Sequence, residues 1–499
     1  MDKQIQLKIM ITRADIPKEV SGVAEVLEKA GFEAYLVGGC VRDLVLQRTP
    51  KDWDITTNAN PEEIQSLFPE TYCNNDYGTV GVVNEDVEDD RLKVVEVTPY
   101  RSEGEYTDRR RPDKVEFGVS LEEDLKRRDF TINAIAFRIH DEKLVDLFDG
   151  EGDLRKKRLK TVGDPDERFA EDALRMMRAV RLSAELNFAI EAETMASIAK
   201  NSALLSHISS ERIQAEFLRI IDSNNPMLGV AMLEKLGLID HILPEIKESI
   251  GCEQGGIHAY DVYEHLLRSL QAAADKGFST EMRLAALLHD IGKPAARREG
   301  GKTKRYTFFG HEVVGARMTN KIMKRLKMPL DIARKVEMLV RWHMFFADPD
   351  LVTLSAVRRT IARVGQENIE DLLNLRICDR IGTGRPKEQP FRFRKYKAMV
   401  DQALRDPVSV KMLKTNGERI MKQTGEKPGP KLGYVLHALL EEVLEDPSKN
   451  TEEYMDSRVL ELLKLSEEEL RKLSDAGKER QQEEEGAALK AIERSHKVG

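Results

Sequence analysis

The sequence predicts an amino-terminal α/β head, built on a mixed sheet with helices, followed by a long, mostly helical remainder. Three observations lead there. Residues 34–57, AYLVGGCVRDLVLQRTPKDWDITT, read as strand, glycine turn, helix and second strand. Residues 78–83 (GTVGVV) and 92–98 (LKVVEVT) flank an acidic turn at 85–90, the pattern of a hairpin. Beyond residue 161, in stretches such as 168–181 and 205–247, apolar residues recur at helical spacing.

At 499 residues the chain is long enough for about three domains. Its hydrophobic content of 41% is sufficient for real cores. Cys40, Cys73, Cys252 and Cys378 are widely separated and form no CxxC pair, which points to a reduced compartment and away from a zinc knuckle. No run of eighteen apolar residues occurs, so neither a signal peptide nor a membrane span is expected and the cytoplasm is the expected location. A formal charge of −8 does not exclude nucleic acid, because a local basic face can bind RNA on an acidic protein.

The head opens on a helix over 20–32, where Val23, Val26, Leu27 and Ala30 share a face and Gly31 can cap the end. A strand at 34–37 runs into Gly38 and Gly39. Glycines let backbone approach a phosphate, since no Cβ keeps it away. A helical segment with Arg42 and Asp43 follows, then Asp52 and Asp54. Two apart on a strand, those carboxylates would share one face. Held close, they repel each other unless a divalent cation lies between them. The combination suggests metal-dependent phosphoryl transfer, with glycines for a triphosphate and aspartates for Mg²⁺; a solvated edge strand would explain the aspartates alone. Asn60 and Pro61 start another helix, ending near Phe68. Glu96 reads as a solvated sheet residue or as a third acid at the metal. Residues 102–114, with Arg109, Arg110 and Arg111, should form a polar loop that either meets phosphate or is simply solvated.

These residues closely resemble the signature of the class II tRNA nucleotidyltransferases and bacterial poly(A) polymerases, a branch of the polymerase-beta-like nucleotidyltransferases. The family pattern LVGG-VRD, then D-D, is met by Leu36 to Asp43, Asp52 and Asp54, and the resemblance continues through VEVTPYR, ending at Arg101. Residues 121–136, LEEDLKRRDFTINAIA, match the family's RRDFT-NA motif. The resemblance implies Arg128 near the triphosphate or sugar, Asp129 near the ribose and Asn133 in support of the backbone. Arginine suits phosphate because its planar fork donates two charge-assisted bonds. Residues 143–150 resemble the strand and turn that close the head.

Residues 168–181, RFAEDALRMMRAVR, read as one helix with Leu174 and Met177 on its packed side. Asp172 and Arg175, three apart, would neighbour each other, and a simple salt pair is the bland reading. The stretch resembles the family's ED--R motif, which implies that the two read the incoming base. Asp172 would accept from the exocyclic amine of cytosine or adenine, and Arg175 would donate to the ring nitrogen. Uracil and guanine present the opposite groups, and each unmade bond costs about 1–3 kcal/mol. Arg178 and Arg181 are taken with them as nucleotide-binding. Glu211 and Arg212 match a family motif read as scaffold.

Five of the ten histidines fall between 258 and 343. His265, the pair His289–Asp290 and Asp379 resemble, in order and spacing, the metal ligands of HD-domain phosphohydrolases. His311 and His343 would hold a second metal or grip phosphate. Imidazoles with carboxylates suit Ni²⁺ or Mn²⁺ and activation of water. Pro428 to Gly433 reads as a turn before an apolar helix, and the resemblance adds contact with the tRNA elbow. From about Ser466 charge rises and apolar residues thin out, as in a flexible tail.

The resemblance thus implies an α/β nucleotidyltransferase head (1–160), an all-α neck (161–250), an HD domain (251–385), a helical RNA-binding body (386–465) and a charged tail (466–499). It implies addition of CCA to the tRNA 3′ end from CTP and ATP, with no membrane and no obligate protein partner. Poly(A) polymerase, CC-only or A-only addition stay open, as do an HD phosphohydrolase with an RNA-binding head and a pure RNA-binding protein.

Overall fold

The computed structural model describes residues 11–73, 78–85, 87–103, 115–255, 258–300, 305–345, 352–385 and 387–473. Arg109, Arg110 and Arg111 and the tail from 474 lie outside them. Two compact units result: Met1–Pro244 with Arg325–Lys327, and Glu245–Lys324 with Met328–Gly499.

The first unit begins with α1 (Lys18–Lys29), whose Val20, Val23, Ala24 and Leu27 are buried. Full burial of Leu27 contributes ~2 kcal/mol. Then come β1 (Ala34–Val37), α2 (Gly39–Val45), β2 (Asp54–Thr57), α3 (Pro61–Leu67), β3 (Thr71–Cys73), β4 (Val80–Val83) and β5 (Val94–Pro99). Asn60 and Glu63 form the capping box of α3. A small ladder pairs β6 (Arg101–Glu103) with β7 (Val115–Phe117). The head continues with α4 (Leu121–Lys126), β8 (Ile135–Arg138) and β9 (Lys143–Asp146). Its seven strands run in the order β3-β4-β5-β2-β1-β8-β9. β4 and β5 form the expected antiparallel hairpin, while β2 and β5 pair in parallel, so the sheet is mixed. Tyr35, Val37, Tyr100, Leu125 and Ala136 form a core under one face.

After α5 (Gly150–Arg155), β10 (Arg158–Leu159) pairs with a later strand. Then α6 (Pro165–Glu171) and α7 (Leu174–Leu186) occupy the stretch expected as one helix. The chain leaves helical geometry at Asp172, with φ −139° and ψ 103°, so 168–181 is two helices rather than one. β11 (Ala189–Ile190) is the parallel partner of β10, and α8 (Ala192–Asn201), α9 (Ser210–Ile221) and α10 (Pro226–Lys235) complete the unit.

The second unit contains α11 (Val262–Asp275), α12 (Thr280–Leu288), α13 (Lys293–Ala296), the hairpin of β12 (Arg298–Gly300) and β13 (Arg305–Thr307), α14 (His311–Arg325), α15 (Leu330–Trp342), α16 (Leu354–Val364) and α17 (Ile369–Gly382). α18 (Phe391–Ala403), α19 (Gly417–Thr424), α20 (Pro430–Glu445) and α21 (Glu452–Leu462) follow. Arg358, buried on α16, donates to Leu444 O at 2.7 Å and Glu445 O at 3.0 Å. It thereby satisfies carbonyls that the end of α20 would leave unpaired. The expected turn at 428–433 leads into α20, with Pro430 as its first residue. All four cysteines are free thiols. No helix among the described residues is long and apolar enough to cross a membrane.

Candidate active site of the head and metal cluster of the helical unit

β1 ends at Gly38, whose φ of +81° is left-handed backbone that glycine adopts without strain. This turn leads directly into α2. A Cβ on Gly38 would lie 3.5 Å from Asp54 Oδ2 and 3.5 Å from Arg128 Nη1. One on Gly39 would lie 3.6 Å from Arg42 Nη2 and 3.7 Å from Asp52 Oδ1. The two glycines therefore border a space with an acid and an arginine on each side. β2 starts at Asp54, so Asp52 precedes the strand and strand alternation does not itself place it. The parallel register sets Asp54 opposite Glu96. Half-burial, then the charges of Asp52 and Glu96, push the Asp54 carboxyl up to about 7. Burial and Asp52 likewise raise Glu96. Such mutual repulsion is what a divalent cation relieves. Cys40, within the motif, is buried, and burial with Asp54 pushes its thiol to about 12, so it stays protonated.

The arginines facing the acids are held from behind. Arg42 pairs with Asp43 and donates to Asn133 Oδ1 at 2.9 Å. Asn133 Nδ2 donates to Asp129 Oδ1 at 3.2 Å, and Arg178 Nε donates to Asp129 Oδ2 at 2.8 Å. Burial would raise Asp129, yet Arg178 holds it far below the ordinary carboxylate range. Asn133 thus does more than support backbone, because its side chain links Arg42 to Asp129. Arg128 Nη2 donates to Asp124 at 3.0 Å, and Arg127 pairs with the same carboxylate at 2.6 Å. Asp124 is fully buried and lies 3.3 Å from Thr56 Oγ1 on β2.

Asp172 and Arg175 do not pair through their side chains. Asp172 sits in the break between α6 and α7, its Oδ1 accepting from Leu174 N at 3.0 Å. Arg212 donates to both its oxygens, at 3.3 and 2.7 Å. Arg175 binds Glu171 at 2.5 Å and Arg127 O at 3.1 Å. Each is fixed by its own partners. Arg181 is not brought to this site: it is buried against Glu216 at 3.3 Å.

In the helical unit, six expected residues converge. His265 comes from α11, His289 and Asp290 from the end of α12, His311 from α14, His343 from the end of α15 and Asp379 from α17. Gly382 permits this, since a Cβ there would meet Ser269 Oγ at 2.1 Å and His265 O at 2.8 Å, separating α17 from α11. His265 Nε2 and His289 Nε2 are 3.0 Å apart, and His311 Nε2 and His343 Nε2 are 3.3 Å apart. Asp290 lies between the pairs. Its Oδ2 is 3.2 Å from His265 and 3.4 Å from His289; its Oδ1 is 3.1 Å from His311 and 3.4 Å from His343. Two triads result, His265–His289–Asp379 and Asp290–His311–His343. Nδ1 of His289, His311 and His343 lies 2.9, 2.7 and 2.7 Å from the carbonyls of Ala286, Phe308 and Val340. That network assigns the ring protons to Nδ1 and turns the Nε2 lone pairs inward, as metal ligation requires. Burial lowers His343 to about 4, which keeps its ring neutral. Lone pairs and carboxylates facing one another fit cations between them.

Residues 34–160 match the poly A polymerase head domain. Residues 187–250 match the probable RNA and SrmB-binding site of polymerase A, and 262–383 match the HD domain. The CCA-adding enzyme of Levilactobacillus brevis is 43% identical over 267 residues, 53% of this chain and 62% of the relative. That of Limosilactobacillus fermentum is 48% identical over 223 residues, 44% and 54% of the two chains. The chain thus spans little more than half the length of these relatives. The crystal structure of Bacillus stearothermophilus CCA-adding enzyme in complex with CTP superposes with a TM-score of 0.67 at 27% identity, covering 89% of this chain and 98% of that one. The chain is thus similar to CCA-adding enzymes and carries matches to the poly A polymerase head domain and the HD domain. The Thermotoga maritima CCA-adding enzyme complexed with tRNA shares the fold, with a TM-score of 0.53 at 18% identity.

Against the family motifs, Asp124, Arg212 and Lys293 are the residues that motif reading passed over or left as scaffold. Lys293 lies 2.5 Å from Asp290. The signal for Asp124 was present: an acid three and four residues before two arginines on a helix.

Proposed function

We propose that the chain adds CCA to tRNA 3′ ends from CTP and ATP, in the cytoplasm. The observation that carries this reading is the Gly38–Gly39 turn, with Asp54 and Arg128 beside Gly38 and Asp52 and Arg42 beside Gly39. Asp52 and Asp54, with Glu96 behind, offer hard oxygen donors that suit Mg²⁺. Bound there, the metal would supply the positive charge that favours attack of an RNA 3′-hydroxyl on the α-phosphorus and departure of pyrophosphate. The glycines admit the triphosphate, and Arg42 and Arg128 bind its oxygens. Asp129, oriented by Arg178 and Asn133, accepts from the ribose. Asp172 and Arg175 read the amine and ring nitrogen shared by cytosine and adenine. Arg212 engages both Asp172 oxygens, but a carboxylate offers about four acceptor sites, so capacity is left for the base.

The test is incorporation from each labelled nucleotide into tRNA ending before CCA. Two cytidines and one adenosine are expected, with loss in Asp52→Ala and retention in His289→Ala. A long adenosine tract would identify a poly(A) polymerase instead.

The HD cluster supports a second activity, metal-dependent phosphohydrolysis. His265, His289 and Asp379 would hold one Ni²⁺ or Mn²⁺ and His311 and His343 another, with Asp290 shared between them. The bound ions would supply an activated water. Hydrolysis of p-nitrophenyl phosphate by metal-loaded protein, lost in His289→Ala, is the expected result.

A further inference from the structure

The two triads around Asp290 are not equivalent. On the Oδ1 side, His311 and His343 give their Nδ1 protons to the carbonyls of Phe308 and Val340. Their Nε2 lone pairs, 3.3 Å apart, face each other and the carboxylate oxygen with no proton among them. A cation relieves that arrangement. The triad of His265, His289 and Asp379 is instead already supplied with positive charge. His265 is fully buried, and its Nδ1 has no hydrogen-bond partner among the described residues. A neutral His265 therefore keeps its proton on Nε2, where His289 Nε2, Asp290 Oδ2 and Asp379 Oδ1 accept at 3.0, 3.2 and 3.5 Å. To ligate through Nε2 it must move that proton to Nδ1, where a buried N–H without an acceptor is costly. Lys293, itself buried, places its ammonium 2.5 Å from the same Asp290 Oδ2. It also donates to Gln254 Oε1 at 2.6 Å, and the Gln254 amide is held in turn by Tyr260 O at 3.3 Å. Arg376 pairs with Asp379 Oδ2 at 2.6 Å. Both carboxylates of this triad's surroundings are thus shared with a side-chain cation. Asp290 Oδ1, among the described residues, meets only histidines.

We propose that the two metal positions are unequal and fill in order. The one at His311, His343 and Asp290 Oδ1 loads first and tightly. The one at His265, His289 and Asp379 loads second and weakly, because the Lys293 ammonium already balances the charge that a metal would balance there. Lys293 is then a positioning residue that sets the affinity of the second ion by like-charge repulsion through Asp290. A plain structural brace for Asp290 would act differently: its loss would misplace the shared carboxylate and weaken both positions together. The proposal rests on the metal-dependent phosphohydrolase reading of the cluster, and it is read by binding rather than by turnover.

The test is calorimetric titration of Ni²⁺ into the chelator-stripped full chain, carrying Asp52→Asn and Asp54→Asn so that the head acids do not take up the titrant. Two binding steps are expected, their Kd values at least about tenfold apart, the scale on which groups behind metal ligands tune affinity. His343→Gln should remove the tight step, and His265→Gln the weak one. Lys293→Met should tighten the weak step at least about tenfold and leave the tight step no weaker. Two equal steps in the chain with Lys293 intact would overturn the proposal without recourse to any further variant. So would loss of the tight step in His265→Gln, or weakening of both steps in Lys293→Met. Ordered binding of two ions without hydrolysis of p-nitrophenyl phosphate would remove the phosphohydrolase reading and uphold the proposal, whereas a chain that binds no Ni²⁺ would remove both.

Discussion

Asp54→Asn should abolish incorporation and yet stabilise the metal-free protein. The carboxyl rises from an ordinary 3.8 to about 7, because it is half-buried and faces Asp52 and Glu96. At about 1.4 kcal/mol per pH unit this rise corresponds to ~4 kcal/mol. Solvent reaching the half-buried group screens it to ~2 kcal/mol. Unfolding lets the group return to its ordinary value, so the unfolded chain loses this proton at lower pH than the folded one. Stability is therefore highest below pH ~4 and falls as pH rises toward about 7, above which the cost is constant. Asparagine does not ionise and escapes that cost. Urea melts in EDTA should make Asp54→Asn more stable than the parent by ~2 kcal/mol at pH 8, with the gap closing toward pH 4. Adding Mg²⁺ should stabilise the parent and leave the variant unchanged. A variant less stable than the parent at pH 8, or a gap independent of pH, would refute the reasoning.

Three further perturbations separate positioning from chemistry. Asp124→Asn removes the anion between Arg127 and Arg128; it should destabilise by ~3 kcal/mol and raise KM for CTP at least about tenfold, and nucleoside triphosphate binding should suffer while monophosphate binding does not. Arg212→Ala frees Asp172, so discrimination of CTP over UTP should fall by about tenfold, read from the ratio of kcat/KM values, while melting temperature changes little. Gly382→Ala forces α17 from α11 against a 2.1 Å contact; bound transition metal should drop below stoichiometric by elemental analysis, and CCA incorporation should persist.

Much of the head was legible in its sequence because the motif is local. An apolar run of four, two glycines and a short helix are specified by adjacent residues, and β1 and α2 lie where the pattern put them. Asn60 and Glu63 announced α3 in the same way. The misreading at 168–181 has a local cause. Every residue there except Asp172 and its neighbours favours a helix, and the apolar period runs through the break. The helix stops because the Asp172 side chain accepts from Leu174 N, a backbone donor the helix start leaves unpaired. Arg212, forty residues on, then engages the same carboxylate. Such a tertiary tie leaves no periodic trace. The same holds for Glu96, whose place beside Asp54 follows from a parallel register between strands forty residues apart. Arg181 failed in the opposite direction: its type fitted phosphate, but Glu216 on α9 takes the charge into the interior.

The two metal-binding sets differ in a way that suits their proposed tasks. In the head, Asp52 is exposed and Asp54 half-buried, and Asp54 holds its proton up to about neutral pH. A cation held there would compete with protons and lie close to solvent on the Asp52 side. The helical unit has the reverse balance. His265, His289, His311, His343 and Asp290 are all buried. Burial would raise Asp290, yet Lys293 and His289 hold it well below the ordinary range, already ionised. Backbone carbonyls orient three imidazoles before any metal binds, so little ordering opposes binding, while, against burial, the charge of Asp290 raises His289, whose proton a metal must displace. Buried imidazoles with carboxylates suit a transition metal, whereas the hard oxygens of the more exposed Asp52 and Asp54 suit Mg²⁺. The mutually repelling carboxylates of the head would therefore favour an exchangeable cation, and the oriented histidines of the helical unit a retained one.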